Sequence, residues 1–403
     1  MLPEPNSIDR AALWGAAQNI LCVRLDSLGD VLMTTPAIRA LKEGPAGRRI
    51  TLLTSPSGAA AARLVPEIDN VIVYEPPWMK HTVARFDPAP EYAMAELLRA
   101  GNFDAAVIFT VYSQNPLPAA FLCYLAGIPL RLAHCRENPY QLLTDWVKET
   151  EPHDQVRHEA QRQLDLVATV GARTMDRTLS VHVPTGAKET ATALLAAAGL
   201  DSNRPWLVLH AGATAASRRY PPEMFAQVVS HLVSECRAQI VFTGDEGEIE
   251  LIEQIRQLVL APSDSDRCAA RDGLISLGGL LGLGEMAALL QHAPLLISNN
   301  TGPMHIAAGL GTPVVALYAL TNPQHTPWET PSVTLFHDVP CKFCYKSICP
   351  EGHHLCLRGV SPDRVVAAAR GFLAARTWAP ASVEVHVPFE PAANVRSQRE
   401  AIG

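Results

Sequence analysis

Short apolar runs alternate along the chain with longer stretches whose apolar residues recur at helical spacing. "ILCVRL" (20–25) reads as a buried strand and "DVLMTTPAIRALKE" (30–43) as a helix. The pattern runs on through "ITLLT", "GAAAARLV", "VIVYE", "EYAMAELLRAG", "AAVIF" and "LPAAFLCYLAG". "HEAQRQLDLVATVG", read as a helix, and "LSVHV", read as a strand, close this half near residue 184. It restarts with the strand "PWLVLH" (205–210) and the proline-opened helix "PEMFAQVVSHLVSEC". "AQIVFT", a helix from about Glu248, "EMAALLQHA", "PLLIS" and "PVVALY" follow. Such alternation makes a mainly parallel sheet covered by helices. Two rounds of it predict an α/β protein with two Rossmann-like domains facing each other across a cleft. The expected boundaries are 18–185 and 186–360, followed by a helix over 361–378 and a polar, proline-rich tail over 379–403.

Length agrees with two domains, since 403 residues exceed what one compact core usually holds. The net charge of -7 lacks the basic footprint of a nucleic-acid binder. No apolar run reaches the roughly eighteen residues that a membrane span needs. "MLPEPNSIDRAALWGAAQN" lacks an apolar signal core, so the expected location is cytoplasmic. Nine cysteines in a chain this long make no disulfide scaffold, yet Cys341, Cys344, Cys349 and Cys356 fall close together.

Ligands of open α/β sheets bind beyond the carboxyl ends of the strands, and four segments place polar chemistry there. In "RLDSLGDVLMTTPAIRAL" (24–41), Gly29 suits a tight turn, and Asp30 is either a helix cap or a carboxylate over the cleft. In "HAGATAASRRYPPEMF" (210–225), Thr214, Ser217 and Arg218 make a diphosphate cradle or a solvated loop. Glu248 in "FTGDEGEIELIEQI" is a ribose ligand or a favourable charge at a helix start. In "ISNNTGPMHIAAGLGTPVVALY" (297–318), Asn300, Thr301, Gly302 and His305 lie between a strand and a helix. "CKFCYKSICPEGHHLC" (341–356) spaces its thiols as a zinc or iron knuckle does, or holds reduced thiols that pin a loop.

Taken in this order, the segments resemble glycosyltransferase family 9, the lipopolysaccharide heptosyltransferase family, from residue 20 to about 375. The resemblance implies a GT-B fold, with the acceptor held by the first domain and a nucleotide-sugar donor by the second. It implies inverting transfer of a heptose or related sugar, with ADP-heptose as donor and a lipopolysaccharide-core glycan as acceptor. Asp30 matches the family's general base, flanked by Ser27, Gly29 and Arg63 on the acceptor side. Thr214, Ser217, Arg218, Glu248, Asn300, Thr301, Gly302 and His305 fall to the donor. Asn300 stands where the family motif has aspartate and cannot carry charge or take a proton. No catalytic cofactor is implied; the cysteine cluster is expected to hold a structural zinc or iron. Peripheral contact with the inner membrane is expected, with Arg39, Lys42, Arg48 and Arg49 as further basic residues beside the acceptor. A catalytically inactive nucleotide-sugar-binding module, a transferase for protein or another acceptor, and an epimerase of the same architecture are the alternatives.

Overall fold

The computed structural model describes residues 10–80, 82, 86–260 and 273–374. The expected tail over 379–403, and the last residues of the helix expected over 361–378, lie outside them. Strands β1 (Asn19–Arg24), β2 (Arg49–Thr54), β3 (Asn70–Val73), β4 (Ala105–Ile108), β5 (Leu130–Cys135) and β6 (Asp145–Lys148) form one parallel sheet, in the order β3-β2-β1-β4-β5-β6. The second sheet repeats that order with β7 (Trp206–His210), β8 (Gln239–Thr243), β9 (Leu274–Ser276), β10 (Leu296–Asn299), β11 (Val314–Leu317) and β12 (Ser332–Leu335), as β12-β11-β10-β7-β8-β9. Every residue of β1 is buried, as a parallel strand covered on both faces requires. That double burial explains why "ILCVRL" is legible as one apolar run.

In each sheet the strand order reverses beside the first strand, between β1 and β4 and between β7 and β10. Crevices open at such points. The helix Leu28–Lys42 starts just after β1, and the helix Gly302–Gly309 just after β10. These two helices carry the contact between the domains: Val31 and Leu32 of one share an apolar cluster with Met304 and Ile306 of the other.

Three local readings change. The segment 179–183, expected as a strand, joins neither sheet. Its Ser180 N–H donates to Thr35 Oγ1 at 2.8 Å and its His182 N–H to the Leu64 carbonyl at 2.7 Å, so it runs over helix ends as the link between domains. A helix at Arg10–Ala16 precedes the expected domain start and buries Trp14, whose Nε1 donates to Asp145 at 3.1 Å. The helix Pro362–Ala374 is no separate unit, since Val365, Val366 and Ala369 pack into the second-domain cluster with Phe225 and Val229. No helix among the described residues is long and apolar enough to cross a membrane.

Candidate active site

The last residue of β1 organises the crevice. Arg24 is wholly buried, and its guanidinium meets three carboxylates: Asp26 at 3.0 Å, Asp30 at 3.3 Å and Glu159 at 2.7 Å. Burial alone would lower the Arg24 pKa, but Asp26, Glu159 and Asp30 outweigh it and raise it. Glu159, wholly buried at the start of the helix Glu159–Ala168, also accepts from Gln163 Nε2 at 2.7 Å. Burial would raise its carboxyl, yet Arg24 and Arg162 hold it below the usual range.

Asp30 fills both roles that its sequence position allows. One oxygen accepts from the Ser27 N–H at 3.1 Å and the Ser27 hydroxyl at 2.6 Å, closing the first turn of the helix. The other faces Arg24 and, across the cleft, His325 Nε2 at 3.9 Å. Burial pushes its pKa up, but Arg24, His325 and Ser27 more than reverse that and bring it to about 2. Asp30 is therefore ionised throughout the physiological range. Its neighbour behaves differently. Burial, reinforced by the Asp30 charge, drives Asp26 up to about 6 despite Arg24 and a 2.5 Å hydrogen bond from Gln114 Nε2. Like charges that share one cation are thus separated into a fixed anion and a titrating acid.

Gly29 lies within the first helical turn rather than at a sharp bend, and what it supplies is proximity. A Cβ there would stand 2.8 Å from His305 Cδ2, and one on Gly302 would stand 3.0 Å from Leu28 Cδ2. The loop after β1 and the helix after β10 therefore meet directly.

On the facing domain, the expected donor residues gather at the ends of β7, β8 and β10. Thr301 caps the helix Gly302–Gly309 through its extended backbone and makes no side-chain cap hydrogen bond. Asn300 is buried beside the Tyr318 hydroxyl, and His305 Nδ1 is buried without a hydrogen-bond partner among the described residues. Burial, with help from His325, lowers the His305 pKa to about 3, so its ring is neutral. The charge of Arg218 acts on His305, His325 and Tyr318. Arg219 donates through Nε to the Ala213 carbonyl at 2.7 Å, its charge acts on Glu248, and it lines a groove with Glu250 and Gln254. Thr214 is exposed on the same loop. Glu248 accepts from the Asp245 N–H at 3.1 Å in a capping box and lies 3.7 Å from His210 Nε2, so it too is both cap and site wall.

Some assignments fail geometrically. Ser217 is buried; its hydroxyl donates to the Lys346 carbonyl at 2.7 Å and its N–H to the Ser347 carbonyl at 3.0 Å. It ties the loop down instead of facing the donor. Arg63 is exposed at the far end of the helix Pro56–Ala62, whereas the cavity is walled by residues at that helix's start. Arg39 and Lys42 lie in the last turn of Leu28–Lys42, away from the cleft, paired with Glu67 at 2.8 Å and Asp69 at 2.6 Å. Arg48 is buried and donates to the carbonyls of Ala17, Leu41 and Trp14.

The cysteine loop lies beside the donor loop. Its Tyr345 ring packs edge-on against Tyr112 of the first domain, with the two hydroxyls in contact, and His354 Nε2 lies 2.6 Å from the Ser217 carbonyl. Cys341 Sγ lies 3.9 Å from His353 Nε2. Among the described residues, no three His, Cys, Asp or Glu side chains form a set able to hold a metal ion, and Cys341, Cys344, Cys349 and Cys356 are free thiols near one another.

A cavity of about 860 Å³ opens beside Asp26 and Asp30, and all its described walls belong to the first domain. Across the cleft, the segment around Gln324 and His325 docks on the first domain. The Glu159 N–H donates to the Gln324 carbonyl at 3.0 Å, His158 Nε2 lies 2.8 Å from the Thr326 carbonyl, and His158 stacks on Trp328. Sequence reading missed Arg24, Asp26, Glu159 and His325. The one available signal was Arg24, a charge in an otherwise apolar strand.

The chain matches glycosyltransferase family 9 (heptosyltransferase) over residues 92–355. It is 27% identical over 366 residues to lipooligosaccharide heptosyltransferase 2 of Haemophilus ducreyi, covering 88% of this chain and 99% of that one. Among solved structures, a family 9 glycosyltransferase from Veillonella parvula superposes with a TM-score of 0.70 at 22% identity, over 89% of this chain and 97% of that one. The ADP-heptose lipopolysaccharide heptosyltransferase II of Escherichia coli gives 0.66 at 22% identity, over 89% and 100%. At these identities the structural likeness supports the two-domain GT-B fold.

Proposed function

The chain belongs to glycosyltransferase family 9 (heptosyltransferase), and from that premise we propose that it transfers a heptose or closely related sugar from ADP to a lipopolysaccharide-core glycan with inversion. One observation carries the reading. The Asp30 carboxylate lines a cavity in the first domain and lies across the cleft from His325 and from the buried His305 at the start of Gly302–Gly309. In this reading Asp30 accepts the proton of an acceptor hydroxyl, that oxygen attacks the anomeric carbon, and ADP departs with the bonding electrons. Arg218, Thr214 and the amide-rich helix start receive the negative charge that develops on the diphosphate. Glu248 accepts from the ribose hydroxyls. In this reading the protein works in the cytoplasm, at the face of the inner membrane.

A panel of ADP-, UDP- and GDP-sugars tests this, read as thermal stabilisation and as release of nucleoside diphosphate. ADP at a hundred times its Kd should add about 2.7 kcal/mol to native stability. A shift with UDP or GDP and none with ADP would reject the donor. Binding without turnover on any donor would leave a sugar-nucleotide-binding module instead.

The different engagement of the two arginines makes a further prediction. Arg218→Ala should weaken ADP binding by about tenfold or more, the loss of a charge-assisted contact to phosphate. Arg219→Ala should leave ADP binding within about twofold, because its guanidinium is engaged with Ala213. Equal losses, measured calorimetrically, would show that the loop presents both.

The carboxylate pair makes a third. Asp30 stays charged well below neutrality, but its proton affinity depends on Asp26, which ionises near 6. The charge of ionised Asp26 raises the proton affinity of Asp30 and makes it a stronger base, so kcat/KM should rise through about pH 6 and then level off. In Asp26→Asn this step should vanish, leaving a flat, lower profile. An unchanged step in that variant would assign it to another group.

A further inference from the structure

We propose that the acceptor unit entering the cavity beside Asp30 is an uncharged sugar, free of carboxylate and phosphate. This deepens the proposed transferase reading and rests on it. Three features of the cavity converge. Its charges are of the wrong sign for an anion: Asp26, Asp30 and Glu75 line it, and Lys80 is the one cation among the described lining residues. Arg24 offsets only part of that negative charge, since its one guanidinium serves Asp26, Asp30 and Glu159. The basic residues that could have drawn an anionic acceptor are occupied elsewhere, with Arg39 and Lys42 in ion pairs, Arg48 buried on backbone carbonyls, and Arg63 exposed outside the cavity.

The rest of the lining suits a neutral saccharide. Trp78, half-buried and packed edge-on against Tyr74 with ring centroids 5.9 Å apart, forms with Met79 an apolar wall on which the C–H face of a sugar can lie. The Ser57 and Thr82 hydroxyls in the lining both donate and accept, as sugar hydroxyls do, while Gln114 is held by Asp26 and Val111, and Asn115 by Glu137 and Leu117. A carboxylate or phosphate brought here would lose its water, meet the Asp26 and Asp30 charges at short range, and find one lysine.

The test uses the full-length protein, a donor ADP-heptose, and core oligosaccharides ending in a sugar acid, a phosphorylated heptose, an unmodified heptose or a neutral hexose. We expect kcat/KM at least about tenfold higher for the better neutral terminus than for either charged one. Trp78→Ala should raise the KM for that neutral acceptor at least about fivefold while leaving the affinity for ADP unchanged. Equal or better use of a charged terminus would overturn the neutral-acceptor assignment alone, whereas ADP binding with no use of any terminus would leave a sugar-nucleotide-binding module. Failure to bind ADP together with failure to transfer to any terminus would remove the transferase reading along with it.

Discussion

Asp30→Asn should yield a folded protein that still binds ADP and has lost sugar transfer by about a hundredfold or more, the usual consequence of removing a general base. The expectation of normal folding has a structural reason. Asp30 is the third residue of the helix that Ser27 caps, and an asparagine carbonyl oxygen there can accept from the Ser27 N–H and hydroxyl as the carboxylate does. Arg24 keeps Asp26 and Glu159 as partners, so no buried charge is abandoned. The donor residues lie on the opposite domain and are not disturbed. Matched thermal melts and ADP titrations, beside transfer rates, separate the outcomes. Turnover within severalfold of the parent would reduce Asp30 to a helix cap, and Asp26 would become the next carboxylate to test.

The largest loss of stability is expected from Arg24→Met. Methionine approximates the stem of arginine but leaves Asp26, Asp30 and the wholly buried Glu159 without their common cation. Removing one partner of a buried ion pair typically costs about 3–5 kcal/mol, and here one residue serves three partners. The sign of the pH dependence follows from the carboxyl pKa values. Asp30 and Glu159 are both held below their ordinary values in the folded protein. They therefore contribute stability above the unfolded carboxylate range, which is lost as pH falls through their folded values. Without Arg24, burial dominates and the same groups prefer to be protonated. The gap between variant and parent should be widest near neutrality and narrow as pH falls into the carboxylate range, as denaturant melts at several pH values would show. A gap that stays constant would mean that the cost lies in packing and not in charge.

The two carboxylates of this cluster differ in how far sequence alone reveals them. Asp30 follows a glycine at the end of an apolar strand, so a local pattern exposes it. Asp26 sits four residues earlier with no pattern of its own, and its role depends on Arg24, which reads as one polar letter in a buried strand. Glu159 lies 135 residues from Arg24, and no local spacing can announce a bond between them. His325 reaches Asp30 from the other domain through a loop without periodicity. The architecture was legible for the converse reason. Both sheets are parallel and buried on two faces, so each central strand is a short apolar run, and the alternation of strand and helix is carried by near neighbours in sequence. The reading faltered at 179–183, where apolar residues cover helix ends instead of pairing in a sheet. It also faltered at Ser217, where a residue type suited to phosphate is spent on backbone carbonyls.

The paired close approaches at Gly29 and Gly302 have a consequence for how the two halves of the enzyme can diverge. Each glycine leaves room for a side chain of the opposite domain, His305 for one and Leu28 for the other. The width of the cleft is therefore set by two missing methyl groups. Alanine at position 29 must displace the buried His305 ring, and alanine at 302 must push against Leu28 by a few tenths of an ångström. Either change acts as a shim between the domains, altering the distance from base to anomeric carbon without touching a reacting group. Substrates can be exchanged by recutting the walls on either side, while this joint, with the docked 324–328 segment and the Tyr112–Tyr345 pair, keeps the spacing between the domains.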